Sequence, residues 1–142
     1  MIPYVKDILK IEYKGLTDDA GVLKSGIYIF YFKYSDADGN VTEVQGESGL
    51  VYVHKGKVND PQSIRFGLED ETTDKAVNFK LTNIDLAYTN IQVYFSRISG
   101  NDNGKTASVH KILTPYPVKV SGECDIIISG SESTMQVGAS EV

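Results

Sequence analysis

Residues 27–34 read Ile-Tyr-Ile-Phe-Tyr-Phe-Lys-Tyr, a run of β-branched and aromatic residues with one charge and no turn former. Such residues fit a pleated, packed surface and crowd a helix, so the run is read as a strand. Strand parity puts Tyr28, Phe30, Phe32 and Tyr34 on one face and Ile27, Ile29, Tyr31 and Lys33 on the other. Both sets are apolar, whereas an outer strand of a sandwich shows polar residues on its solvent side. Two readings follow. In one, the strand is central and loops of the same chain, such as residues 59–63, cover its second face. In the other, that face packs on another module or subunit, because large exposed apolar patches are rare on monomers. The candidate interface residues of this second reading are Ile27, Tyr28, Ile29, Phe30, Tyr31 and Phe32.

Outward from this strand, a period of two persists along the chain. Leu9, Ile11 and Tyr13 alternate with Lys10 and Glu12; Val77, Phe79 and Leu81 alternate with Asn78 and Lys80. Ile91, Val93 and Phe95 alternate with Gln92, Tyr94 and Ser96, and each such segment predicts one face in a core and one in water. Val51 and Val53, and residues 64–68, 109–113, 118–120 and 126–128, are further strand candidates. Turn formers separate them at residues 24–26, 36–40, 46–49, 100–104 and 129–133. Only residues 4–9 resemble a helix, and a short one. The pattern predicts an all-β, antiparallel sandwich. One domain is expected over residues 1–132, with residues 133–142, rich in Ser, Gly and Glu, a flexible tail outside the core.

Composition narrows the function. The 142 residues suit one domain with one core. A net charge of −5 argues against a sequence-independent nucleic-acid binder, which needs a basic surface. Cys124 is the single cysteine and has no intramolecular partner, which fits a protein assembled in a cytoplasm. Lys6, Asp7, Lys10, Glu12 and Lys14 interrupt any apolar signal segment, and no apolar run approaches the roughly 20 residues of a membrane helix.

Motifs of chemistry are incomplete. Gly100 to Thr106 nearly spells a P-loop, but three residues separate its glycines where four are needed, and both flanks read as strands. Asp36, Asp38, Asn40 and Glu47 fall at positions 1, 3, 5 and 12 of a calcium loop, yet Val41 stands where the sharp turn needs Gly. A plain hairpin turn at Asp38-Gly39 is expected instead. Gly46-Glu47-Ser48-Gly49 lacks the glycine spacing of a nucleophile elbow. His54 and His110 are read as surface imidazoles and Cys124 as a buried thiol, too few ligands for zinc. Asn40-Val41-Thr42 is a glycosylation acceptor only in a secretory context. No catalytic residue, metal ligand or cofactor is expected, and the chain is read as non-enzymatic.

Two resemblances add to this. Leu81, Ile84, Asp85 and Tyr88, leading into Ile91, Val93 and Phe95, resemble the tyrosine corner of immunoglobulin-like and fibronectin type III-like domains. The resemblance implies a structural corner of Leu81, Ile84 and Tyr88, with the Tyr88 ring in the core and its hydroxyl tying down the crossing backbone. Over most of the chain, Tyr13-Lys14-Gly15-Leu16, residues 23–28, Tyr34 with residues 35–42, residues 81–85 and residues 93–97 are similar to β-sandwich modules of large tail or neck structural proteins of crAss-like bacteriophages. That similarity implies a structural and interaction module of a virion, assembled in the host cytoplasm. Its partners would be other virion chains, oligomeric copies, or neighbouring modules of one polypeptide, with neither nucleic acid nor membrane insertion. The rival reading is a carbohydrate-binding or adhesion module of a gut phage or bacterium, extracellular or on a cell surface, whose exposed Tyr rings stack on sugars.

Overall fold

The aromatic run forms the middle of strand β2 (Gly26–Ser35), and β2 lies between two other strands along almost its whole length. The computed structural model describes residues 8–56, 72–98 and 108–142. Around β2 are β1 (Lys10–Thr17), β3 (Val41–Val53), β4 (Ala76–Thr82), β5 (Asn90–Ile98), β6 (Ser108–Ile112), β7 (Tyr116–Pro117), β8 (Cys124–Ile128) and β9 (Thr134–Val137), followed by one 3₁₀ turn at Ala139–Glu141. No α-helix occurs among the described residues. The strands form two antiparallel sheets. The smaller has three strands in the order β1-β4-β8; the larger has the order β3-β2-β5-β6-β9, with β7 pairing β5 beyond the end of β6.

The core lies between the sheets. From β2 come Tyr28, Phe30, Phe32 and Tyr34; facing them are Val77, Phe79 and Leu81 of β4 and Ile126 and Ile128 of β8. Phe79 sits at the centre, its ring 5.3 Å from Phe30, 5.4 Å from Phe32 and 5.5 Å from Tyr13. The two closer contacts are edge-on, the arrangement the ring quadrupole favours. The β2–β3 turn closes on Asp36, whose carboxylate accepts the N–H groups of Asp38 (3.0 Å) and Asn40 (2.9 Å), while Gly39 takes φ +86°. The Asn40 side-chain amide first, and then those backbone N–H groups, hold the Asp36 carboxyl below its ordinary range.

Three expectations need revision and three fall outside the described residues. Residues 118–120 form no strand: they enter a tight turn in which Gly122 N–H donates to the Lys119 carbonyl, and the short strand lies just before, at β7. Residues 133–142 do not lie wholly outside the sandwich, because β9 pairs with β6 over four residues. Gln92, Tyr94 and Ser96, expected in water, are buried. They stand on a strand flanked by β2 and β6, where the Lys33 ammonium lies over the Tyr94 ring and the Gln92 side-chain amide donates to the Ile112 carbonyl. The candidate strand at residues 64–68, the hairpin tip at residues 100–104 and most of the possible helix at residues 4–9 lie outside the described residues.

Candidate interaction surface

Cross-strand register shows what the larger sheet turns outward. Ile27 pairs with Tyr52 on one side and Ile98 on the other. The next row on that face runs Leu50, Ile29, Ser96, Val109 and Val137; the third runs Glu47, Tyr31, Tyr94, Lys111 and Met135. Residues directly opposite in a ladder share a face, so these rows make one surface crossing five strands. Leu50 is 59% exposed, Met135 50% and Tyr52 44%, while Ile27, Ile29, Tyr31, Ile98 and Val137 are half-buried. The middle is closed by Tyr94, which has the Lys33 ammonium 4.7 Å from its ring centre. Burial, and then the nearby Glu141 carboxylate, raise the Tyr94 hydroxyl above its ordinary pKa.

The six residues read as an interface from sequence are therefore divided. Tyr28, Phe30 and Phe32 are at most 2% exposed and belong to the domain's own core, so no partner reaches them in the folded chain. Ile27, Ile29 and Tyr31 face outward. Sequence reading missed Leu50, Tyr52, Met135 and Val137, whose membership depends on pairing between strands distant in the chain. Their own segments carried only the weak signal of apolar residues at alternate positions.

At the β4–β5 crossover, Leu81 and Ile84 are buried. Ile84 N–H donates to the Gly122 carbonyl (3.1 Å), Tyr88 N–H to the Asp85 carbonyl (3.1 Å), and Ala87 N–H to the Asp85 carboxylate (3.0 Å). The Tyr88 ring stacks on Tyr34 with centroids 5.0 Å apart. Among the described residues, the tyrosine hydroxyl that meets this crossing backbone is that of Tyr34, which accepts the Asp85 N–H at 3.4 Å. The hydroxyl that meets the loop at Asp85 comes from Tyr88's stacking partner, which reaches it from β2.

A charged cluster was not anticipated. Lys75 is fully buried, with its Nζ 2.8 Å from Asp18 and 2.5 Å from Asp74. Burial opposes its charge, but hydrogen bonds and charges from both aspartates outweigh that and raise its pKa. The Lys75 bond, then the Asp19 N–H, depress the Asp74 carboxyl well below the ordinary range. The clue was parity, since Lys75 precedes Val77, Phe79 and Leu81 on the inward side of the strand register.

The remaining reactive side chains serve packing. His110 is half-buried rather than on the surface; its ring stacks on Phe95 at 5.1 Å and its Nε2 lies 2.8 Å from the Ser108 hydroxyl. His54 is half-buried too, and burial followed by the Lys75 charge lowers its pKa. Cys124 is buried in the core, and burial, then the Asp125 charge, push its thiol up to about 11. A thiol so raised is a poor nucleophile at neutral pH. Among the described residues no three His, Cys, Asp or Glu side chains gather as metal ligands, and no helix is long and apolar enough to cross a membrane.

Fold and surface together define an all-β sandwich of two antiparallel sheets whose most distinctive exterior feature is one apolar sheet face. The chain belongs to the Crassvirus muzzle protein family, whose model matches residues 2–123, a stretch that includes β1 to β7. No curated protein matches it.

Proposed function

We propose that this chain is a non-enzymatic structural module of a phage virion, in the tail or neck assembly, and that the outward face of its larger sheet docks on neighbouring virion chains. The observation that carries the reading is the set of exposed and half-buried apolar residues on the outward face of the larger sheet, Tyr52, Leu50, Ile27, Ile29 and Tyr31 towards one edge and Met135 and Val137 at the other, with the buried Ser96, Tyr94 and Val109 between them. Burying it against a partner would gain about 25 cal/mol per Å2 of apolar area removed from water. Membership of the muzzle protein family supports a virion location and assembly in the host cytoplasm.

The sandwich type we propose is immunoglobulin-like or fibronectin type III-like. Its support is the pairing of β1 with β4 in one sheet and of β2 with β5 and β5 with β6 in the other, joined by the β4–β5 crossover that carries Tyr88 just before β5.

The test is incorporation into virions of chains carrying Leu50→Glu or Ile29→Glu, with Thr82→Glu on the other sheet, opposite Lys10, as control. Both outward substitutions should leave the melting temperature near that of the parent chain and abolish incorporation, while the control assembles. Normal incorporation of Leu50→Glu and Ile29→Glu would contradict the proposal.

A further inference from the structure

The edges of the two sheets are treated differently. Unpaired strand edges invite pairing with other chains, and proteins blunt them with charges, bulges or covers. The β1 edge carries Lys10, Glu12 and Lys14 and a register shift between Tyr13 and Gly15. β3 breaks register with β2 at three places and carries Glu43 and Glu47. At β8 the Tyr116 hydroxyl donates to the Ile127 carbonyl at 3.4 Å. β9 (Thr134-Met135-Gln136-Val137) has no charge, no proline and no register shift, and among the described residues nothing pairs beyond it.

Its free groups follow from the ladder. Leu113 N–H donates to the Ser133 carbonyl at 2.9 Å, so that pair is hydrogen-bonded. Antiparallel pairs alternate, which makes Met135 with Lys111 and Val137 with Val109 the next bonded pairs. The N–H and C=O groups of Thr134 and Gln136 therefore point away from β6, into the open edge.

We infer that β9 pairs with β9 of a second copy of this chain, antiparallel about a two-fold axis at Met135. In that register Thr134 of each copy meets Gln136 of the other, and the outward groups of both residues satisfy one another. Met135 meets its own counterpart on the axis as a non-hydrogen-bonded pair. The strand is thus complementary to itself, with no like charges brought opposite, and its shortness confines the contact to these residues. The inference rests on a sheet edge and its backbone groups, although Met135 and Val137 of the same strand also belong to the docking face proposed above.

Cysteine trapping reads it directly. Directly opposed residues at a non-hydrogen-bonded position have Cα atoms about 4.5 Å apart, within disulfide range. Chain with Met135→Cys should oxidise to a covalent dimer much faster than chain with Ile127→Cys, which is similarly exposed but lies on the other sheet, away from the axis and the docking face. Adding Gln136→Pro removes an edge N–H without touching the β6 ladder, and should abolish the rapid cross-link. A second variant, Met135→Lys, sets two ammonium groups on the axis and should lower the dimer fraction in sedimentation at high concentration. Equal cross-linking of Met135→Cys and Ile127→Cys, or a wild-type chain monomeric at its highest soluble concentration, would overturn the inference.

Discussion

The two outward faces of this sandwich are made by one chain and differ completely. On the smaller sheet the exterior positions are Lys10, Glu12 and Lys14 on β1, Asn78, Lys80 and Thr82 on β4, and Asp125 on β8, with Ile127 the apolar exception. Ion pairs join these groups, Lys14 to Glu12 and Lys119 to Asp125, each at 2.9 Å. Such exposed pairs contribute little stability, a fraction of a kcal/mol each, but they keep the face hydrated. On the larger sheet the equivalent positions are mostly Ile, Leu, Val and Tyr. A domain needing only solubility would make both exteriors alike, and the proposed docking of the larger sheet accounts for the difference.

The sharpest division lies within β2 itself. Phe30→Glu would place a carboxylate in the centre of the core, and the chain should lose more than about 4 kcal/mol in denaturant melts, enough to unfold many domains. Phe79→Ala, which removes the ring contacting Phe30 and Phe32, should cost about 3 to 5 kcal/mol. A loss below about 1 kcal/mol at Phe79 would mean that the inner face is not the stabilising one, and the comparison would break there.

Lys75 is a charge on the wrong side of that division, and pH exposes it. Asp74 is depressed in the folded chain, so its contribution is present above the ordinary Asp value near ~3.9 and is lost as pH falls below it. Lys75 is raised, so its contribution persists below the ordinary Lys value near ~10.4 and is lost as pH climbs above it. Lys75→Met should flatten the melting temperature at both ends. Parallel curves for the variant and parent would show that the cluster does not couple to folding.

Smaller effects separate the two rings at the crossover. Tyr34→Phe removes the hydroxyl that accepts the Asp85 N–H and should cost about 1 kcal/mol, whereas Tyr88→Phe keeps the ring stack and should cost less. The reverse order would return the corner role to Tyr88. Smallest of all, Lys80→Ala and Leu50→Glu should each stay within about 0.5 kcal/mol, since both are surface changes. A large loss at Leu50 would mean that its face is closed by the chain itself.

How far the sequence was legible follows the range of the interactions. Period two exposed β1, β2, β4, β5 and β8, because each has a face buried against the other sheet. The same parity would have flagged Lys75. It misassigned Tyr94, which is buried with the Lys33 ammonium of the adjacent strand over its ring, a contact no local pattern carries. β9 escaped because Thr-Met-Gln-Val is unremarkable until β6 pairs with it. The apolar face was half visible: β2 announced it, while its continuation onto β3, β6 and β9 depends on register between distant segments.

The central claim concerns which exterior is covered, and chemical labelling of tyrosine in assembled virions against free chain measures that. Tyr52 and Tyr31 lie on the larger sheet's outward face, and Tyr13, 45% exposed, is on the smaller sheet. The account predicts that Tyr52 and Tyr31 lose reactivity in the virion while Tyr13 labels as it does in the free chain. Tyr52 labelling equally in both states, or Tyr13 alone becoming protected, would contradict it.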